Sequence, residues 1–538
     1  MLPAQPTLGP EAWREDLRFL QRTVHEDYPF LFKKVTPEAF DAAAEQLYAD
    51  IPELEDHEVV VGLARLVALF SYGHTAIGLN AWYPQNDLGF RQMPYNLYAF
   101  SDGIYVQGAH RDYPQAVGAR VTHVAGVAVE DAVEAIRPAV PVENEQFLLA
   151  YGLHLLGNPA VLHAQGITAE LQETIDLTLE KDGRSFKVTF SAGGYEEYPL
   201  RYGMLPDDGN WMNARGKSTT PLWLKHLDRV YFYEYLPESK TVYVRQSQVQ
   251  DDSAQALPDF YEEVFRFVEG HEVEKFVLDV RLNGGGNNYK NLPVVTGIVR
   301  SEKINQIGKL FVILGRRTFS AAQNLVNELD NYTNAIFVGE PTGENINFYG
   351  DNRPVELPNS GLVARLSFAW WQDKAQWEND DWLAPHLAAD MSFADYRDNI
   401  DPALQSVLDY DGSLTYLDPM DRLTELFEAG DLARLKQEAR SFVEDENYRY
   451  YPFERTFRWV GNNLLGQGQT DAGLFVLGMY TELFPKSADA WVHLARAYRK
   501  GGERERAAEL YRNVIGMDPD GEAGREAAEV LQELKEGD

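Results

Sequence analysis

The chain has 538 residues, 44% hydrophobic and 12% aromatic, so at about 150 residues per domain it holds three or four domains with ample apolar material for packed cores. Lys and Arg number 49 against 83 Asp and Glu, a formal net charge of −34, which excludes nucleic acid as a partner because phosphate binding needs a basic stripe and none is present. Cysteine is absent, so disulfides, thiolate metal sites and a cysteine nucleophile are excluded too, and no stretch of 18 uncharged apolar residues predicts a membrane span.

From Pro10 to about Leu79 the apolar spacing is helical. Trp13, Leu17, Leu20 and Val24 form one stripe, Thr36-Pro37 opens a second helix through AAAEQLYADI, and VVVGLARLVALF makes a third before SYGHTAIGL. Residues 1–79 therefore read as a small helical domain. Residues 80–195 change to short β runs separated by turns, such as DGIYVQGA and DLTLEKDGRSFKVTF. Within them GARVTHVAGVAVEDAVEAI predicts two strands around Ala-Gly and then a short helix. Arg201 to Leu224 is loop-like and rich in Gly, Asn and Trp.

Residues 196–412 hold a third pattern, in which strands alternate with helices from Val242 onward. KFVLDV, LFVILG and AIFVGE are buried-type strands, and the segments Tyr289 to Arg300 and SAAQNLVNELDNY are helical in length and spacing. This alternation predicts right-handed crossovers and a mainly parallel sheet, with its active site outside the carboxyl ends of the strands. Residues 413–538 are helical. Trp491, Leu494, Ala495, Tyr498, Ala507, Tyr511 and Pro519 match a 34-residue tetratricopeptide repeat, and Phe457, Val460, Gly461, Leu464 and Pro485 fit one period earlier.

The candidate chemistry gathers at the ends of the predicted strands. Ser320 opens the helix after LFVILG. With Gln323 it has the form of a capping box, in which the hydroxyl accepts the N3 amide. The same position at a helix N-terminus suits a nucleophile, since free N–H groups favour a developing oxyanion. Gly284, Gly285 and Gly286 follow KFVLDV in LDVRLNGGGNN, where backbone N–H groups approach a ligand closely or simply form a flexible loop. His74, between Gly and Thr in SYGHT, is either a structural histidine or the base for a serine distant in sequence.

Taken together, SYGHT, LDVRLNGGGN, GRRTFSAAQN, VGEPTGENINFYGD and IDPAL, in that order, resemble the S41 family of serine peptidases over roughly residues 10 to 410. The resemblance implies a multidomain α/β protein with a crotonase/ClpP-like catalytic core, preceded by an N-terminal helical domain and a PDZ-like β module and followed by a C-terminal α-helical repeat tail. It implies Ser320 as nucleophile, Ala321 as one oxyanion donor and Gly285 or Gly286 as the other. The processing-protease branch uses a lysine base in a loop that here reads Gly343-Glu344-Asn345-Ile346-Asn347, so a Ser-Lys dyad is excluded. The tricorn-like branch uses a histidine and a glutamate. His74 matches the histidine, and Glu378 in QWEND is the expected carboxylate, with Asp380 and Asp381 as rivals.

The expected function is hydrolysis of peptide bonds, without cofactor or metal. Peptide or protein substrates are the expected partners, with a protein partner or self-association through the helical repeats. The alternatives are an inactive scaffold binding a peptide or apolar ligand, or an esterase or amidase sharing the mechanism. ARGKSTT is not a P-loop, because Trp211 stands where its first glycine is required; no HExxH occurs; and the aromatics of WWQDKAQW read as core or pocket wall. The sequence opens with MLPAQPTLGPEAWRED, which has no basic or apolar leader pattern, while the family and the missing cysteines together imply a bacterial periplasmic or secreted setting.

Overall fold

The computed structural model describes residues 8–79, 90–192, 198–412, 416–519 and 521–536. It divides into two compact units, residues 1–413 and 414–538.

The first unit begins with helices Pro10–Asp27, Pro37–Asp50 and Asp56–Ala68. The first two start where sequence chemistry allows: Pro10 and Pro37 occupy first-turn positions, and Thr36 Oγ1 accepts the Ala39 N–H at 3.2 Å. The stripe Trp13, Leu17, Leu20 and Val24 is buried. The third helix leads through SYGHT to a two-residue strand, β1 (Ala76–Ile77).

Seven strands follow: β2 (Tyr95–Phe100), β3 (Gly103–His110), β4 (Arg120–Val124), β5 (Val127–Ala128), β6 (Thr174–Lys181), β7 (Arg184–Ser191) and β8 (Trp211–Asn213). They form one antiparallel sheet in the order β2-β3-β4-β6-β7, with β5 on β4 and β8 on β3. The turn Ala125-Gly126 and the helix Val129–Ile136 fall within GARVTHVAGVAVEDAVEAI as its pattern requires.

β9 (Tyr231–Leu236), β10 (Thr241–Gln246), β11 (Lys275–Asp279), β12 (Leu310–Leu314) and β13 (Ile336–Gly339) come next. The hairpin β14 (Phe348–Glu356) and β15 (Val363–Trp371) and the short β16 (Leu387–Ala388) complete the set. The second sheet runs β16-β13-β12-β11-β10-β9, parallel throughout except for β9 at its edge. One register row crosses it through Val244, Leu278, Val312 and Phe337, all buried. Helices Leu257–Gly270, Leu292–Arg300 and Ala321–Tyr332 fill the crossovers and supply Phe260, Val264, Ile298, Leu325 and Val326 to its core. The helix expected from Tyr289 begins instead at Leu292, after a 3₁₀ turn at Asn288–Asn291.

β1 pairs with β15, so the His74 segment is pinned to the β14–β15 hairpin. A single core joins the N-terminal helices, the antiparallel sheet and hairpin residues Tyr349, Leu357, Leu362 and Leu366. Of the WWQDKAQW aromatics, Trp370 and Trp371 are half-buried, but Trp377 is 68% exposed and lies outside the core.

The second unit is a run of helices: Pro419–Glu428, Leu432–Glu444, Phe453–Gly466, Thr470–Leu483, Ala488–Lys500, Arg504–Met517 and Glu522–Glu536. Alternate helices begin close to one 34-residue period apart. Leu494, Ala495, Ala507 and Tyr511 are buried, and Gly461 lets Leu477 pack against its helix where a Cβ would fall 2.6 Å from that side chain. Among the described residues no helix is long and apolar enough to cross a membrane.

One buried ion cluster explains two of the sequence motifs. Arg281, from LDVRLN, reaches both Asp401 carboxylate oxygens at 2.8 and 3.0 Å and Asp279 at 2.8 Å, while Tyr243 donates to Asp279 at 2.7 Å. Asp401, from IDPAL, also caps the helix Pro402–Asp409. The glycine loop and the end of the unit are thus joined by one guanidinium. Arg281→Met leaves two buried carboxylates unpaired and is expected to destabilise the first unit by about 3–5 kcal/mol, read from its denaturant midpoint.

A second buried polar contact links the third helix to the helix Pro159–Ala164, where His57 Nε2 lies 2.7 Å from His163 Nδ1. Burial, and then His163, push His57 below the ordinary value of 6.5. The folded state therefore binds fewer protons than the unfolded state just below that value. Stability is present above it and lost as pH falls through it. His163→Gln is expected to flatten this loss in urea titrations between about pH 5 and 8.

Candidate active site

Ser320 follows β12 at the first turn of the helix Ala321–Tyr332. Its backbone stands at φ 58°, ψ −128°, a region that side-chain-bearing residues rarely adopt. Its hydroxyl makes no capping bond, and Gln323 donates to Asn327 at 2.9 Å, so the capping box does not form. Oγ instead lies 3.0 Å from His74 Nε2.

Three loops at the carboxyl ends of the parallel strands hold this arrangement. The loop after β11 accepts the Phe319 N–H at Asn283 O (3.1 Å), and the loop after β13 donates Gly343 N–H to Thr318 O (3.1 Å). Gly285, at φ +98°, packs on the serine: a Cβ there would lie 2.5 Å from Ser320 Cβ and 2.9 Å from Ala321 N. Glu344, in the loop after β13, is fully buried. Its Oε1 is 3.2 Å from His74 Nδ1, close to the ring without forming a hydrogen bond to it, and its Oε2 accepts the Ser320 N–H. The His74 ring stacks on Phe319 at 4.6 Å, and Thr75 Oγ1 bonds Ser367 Oγ at 2.8 Å, which fixes the base from both sides.

Burial dominates the electrostatics. It pushes His74 below the ordinary imidazole range, against the pull of Glu143 and Asp351, and keeps the base form ready at neutral pH. Burial raises Glu344 well above the ordinary carboxylate range, with the Ser320 N–H and Lys34 opposing it. Beside the serine opens a cleft of about 680 Å³, lined by Gly73, Phe147, Tyr151, Gly284, Arg317 and Phe319 among others.

No family model and no curated protein matches the chain. Among solved structures, mature CPAF in complex with lactacystin superposes with a TM-score of 0.50 at 12% identity, covering 78% of this chain and 98% of that one. The fold is that of the S41 peptidases. A putative S41 protease from Bacteroides fragilis matches at 14% identity and TM-score 0.28, over 59% of this chain and 81% of that one. The tricorn protease matches at 12% identity and TM-score 0.35, over 74% of this chain and 36% of that one.

Within this S41 fold the structure brings Ser320, His74, Ala321 and the glycine loop together and revises two expectations. Glu378 is not beside His74. It lies in the 3₁₀ turn Gln376–Glu378, half exposed, with Oε2 3.9 Å from Lys374 Nζ, because the chain after β15 runs over the surface there. Asp380 and Asp381 meet the site through their carbonyls, which accept Ile346 N–H (3.0 Å) and Asn345 Nδ2 (2.9 Å) and brace the Glu344 loop. The second revision concerns Gly285, whose N–H donates to Asn283 Oδ1 at 3.0 Å. Gly286 is bridged to Val249 through its neighbours, so its own N–H faces away from that bridge. Sequence reasoning missed Glu344 as the partner of His74, although its place in the loop that follows a parallel strand was the available signal.

Gly285→Ala is expected to displace Ser320 from His74. A shift near 1 Å should slow reaction of the serine with a fluorophosphonate by about a hundredfold while the circular dichroism spectrum is retained.

Proposed function

We propose that the protein is a serine peptidase of the S41 type, and the observation that carries this reading is the Ser320 Oγ to His74 Nε2 contact of 3.0 Å on a strained strand-to-helix turn, with buried Glu344 behind the imidazole. His74 takes the hydroxyl proton as Ser320 Oγ attacks the peptide carbonyl carbon. The N–H groups of Ala321 and Gly286 receive the oxyanion, each worth on the order of 3 kcal/mol in the transition state. His74 then gives its proton to the departing amine, and water, deprotonated by the same imidazole, releases the acyl group. Glu344, behind Nδ1, keeps the ring in place during each transfer.

In this reading residues 196–412 form a crotonase/ClpP-like core, and residues 80–195 form a PDZ-like module that presents an extended peptide by strand addition. The tail acts as a tetratricopeptide array that docks a protein partner or a second copy. The setting is periplasmic or secreted. An inactive scaffold has no use for a serine and histidine in contact at a positive-φ turn, which favours the enzyme over that alternative.

Treatment with a fluorophosphonate followed by peptide mass spectrometry tests the reading. The expected result is an adduct on Ser320 that disappears in Ser320→Ala and His74→Ala. Glu344→Gln should slow labelling by about 10²–10⁴-fold, while Glu378→Gln leaves it unchanged. A folded wild type that takes no label would move the function to ligand binding.

A further inference from the structure

Glu143 is a second buried carboxylate at the site, and nothing in the mechanism above uses it. It precedes the turn Glu145–Phe147 and is 6% exposed. Its Oε1 accepts the N–H of Gly73 at 2.9 Å and its Oε2 accepts the N–H of Asn345 at 3.0 Å. Gly73 directly precedes His74, and Asn345 directly follows Glu344. One carboxylate therefore ties together two segments that lie about 270 residues apart in the chain.

Two neighbours reinforce the tie. Lys34 Nζ spans the same segments, donating to Ser71 O at 2.9 Å and to Asn345 Oδ1 at 2.6 Å. Asn144 Nδ2 donates to Thr342 O and Asp381 O, holding the Glu344 loop from its other side. We propose that Glu143 is a positioning residue for the serine, histidine and glutamate of this site: its carboxylate clamps the His74 segment to the Glu344 segment and sets the distance between base and carboxylate. The inference rests on the peptidase reading only for its functional consequence.

The clamp has a pH signature. An ionised carboxylate offers both oxygens as strong acceptors, whereas protonation turns one into a donor and a weaker acceptor for an N–H. Burial and then Glu344 push Glu143 up to about 7, with Lys34 and the two N–H groups opposing; Tyr72 and His74 are the other titratable groups that face it. The clamp is intact above that value and weakens as pH falls through it. His74, held below 6.5, would by itself give an acid limb at lower pH.

The test is the pH dependence of fluorophosphonate labelling in the full chain. Wild type is expected to lose maximal labelling rate with a midpoint near 7. In Glu143→Gln the maximal rate at about pH 8 should drop about tenfold with probe affinity unchanged, and the acid limb should move below 6.5. NMR of isotope-labelled histidine should show His74 titrating at lower pH in the variant, because the carboxylate favouring its imidazolium is gone. A variant that matches wild type in rate, pH profile and His74 titration overturns the inference. If the variant does not fold, a wild-type limb lying only below 6.5 overturns it. A wild type that takes no label removes the peptidase reading, while the His74 titration still decides the clamp.

Discussion

Ser320 sits in a backbone conformation that costs on the order of 1–3 kcal/mol, and the surrounding structure exists to keep it there. The carboxylate of Glu344 accepts its N–H, Gly285 leaves it room, and Phe319 beside it is bonded to Asn283 and stacked under His74. A residue that merely capped the helix would relax to an extended conformation and bond its own first turn. Here the hydroxyl is turned away from the helix and toward an imidazole, while the helix still lends its unpaired N–H groups and partial positive charge.

That arrangement depends on buried charge being balanced over a wide area. Arg281 joins the strand that precedes the glycine loop to Asp401, and Arg316 joins the end of β12 to Glu340 and to Ala99 O on the antiparallel sheet. Each guanidinium presents a planar fork to a carboxylate, so it fixes direction as well as distance. These contacts place the loops after β11, β12 and β13 side by side, which is where an open parallel sheet accepts a ligand. The strongly acidic surface contributes little to this. Its charge is solvated, whereas the buried pairs act in a low dielectric.

The helical tail obeys a different logic. Its helices pack mainly against their sequence neighbours, so short-range spacing and a few small residues such as Gly461 are enough to build it. The first unit is built from distant segments, with β1 on β15, Asn359 on Asp16 and Lys34 on Asn345.

This contrast separates what was legible from what was not. The sequence by itself determined the local elements, because apolar spacing at periods of 3.6 and 2 reflects which face of each element is buried: the Trp13 stripe, the three buried strands KFVLD, LFVIL and IFVG, and the tail hairpins. It also determined that Ser320 and a glycine run would lie at strand ends, since crossover handedness puts them there. It did not determine which carboxylate would meet His74. Glu378, Asp380, Asp381, Glu344 and Glu143 are alike as letters, and choosing among them requires knowing which loop is drawn inward. That choice was made by long-range contacts: the β14–β15 hairpin took Glu378 to the surface, while the hydrogen bonds of Glu143, Lys34 and Asn144 drew Glu344 under the imidazole. Periodicity records burial along the chain, and catalytic geometry is a property of segments that meet only after folding.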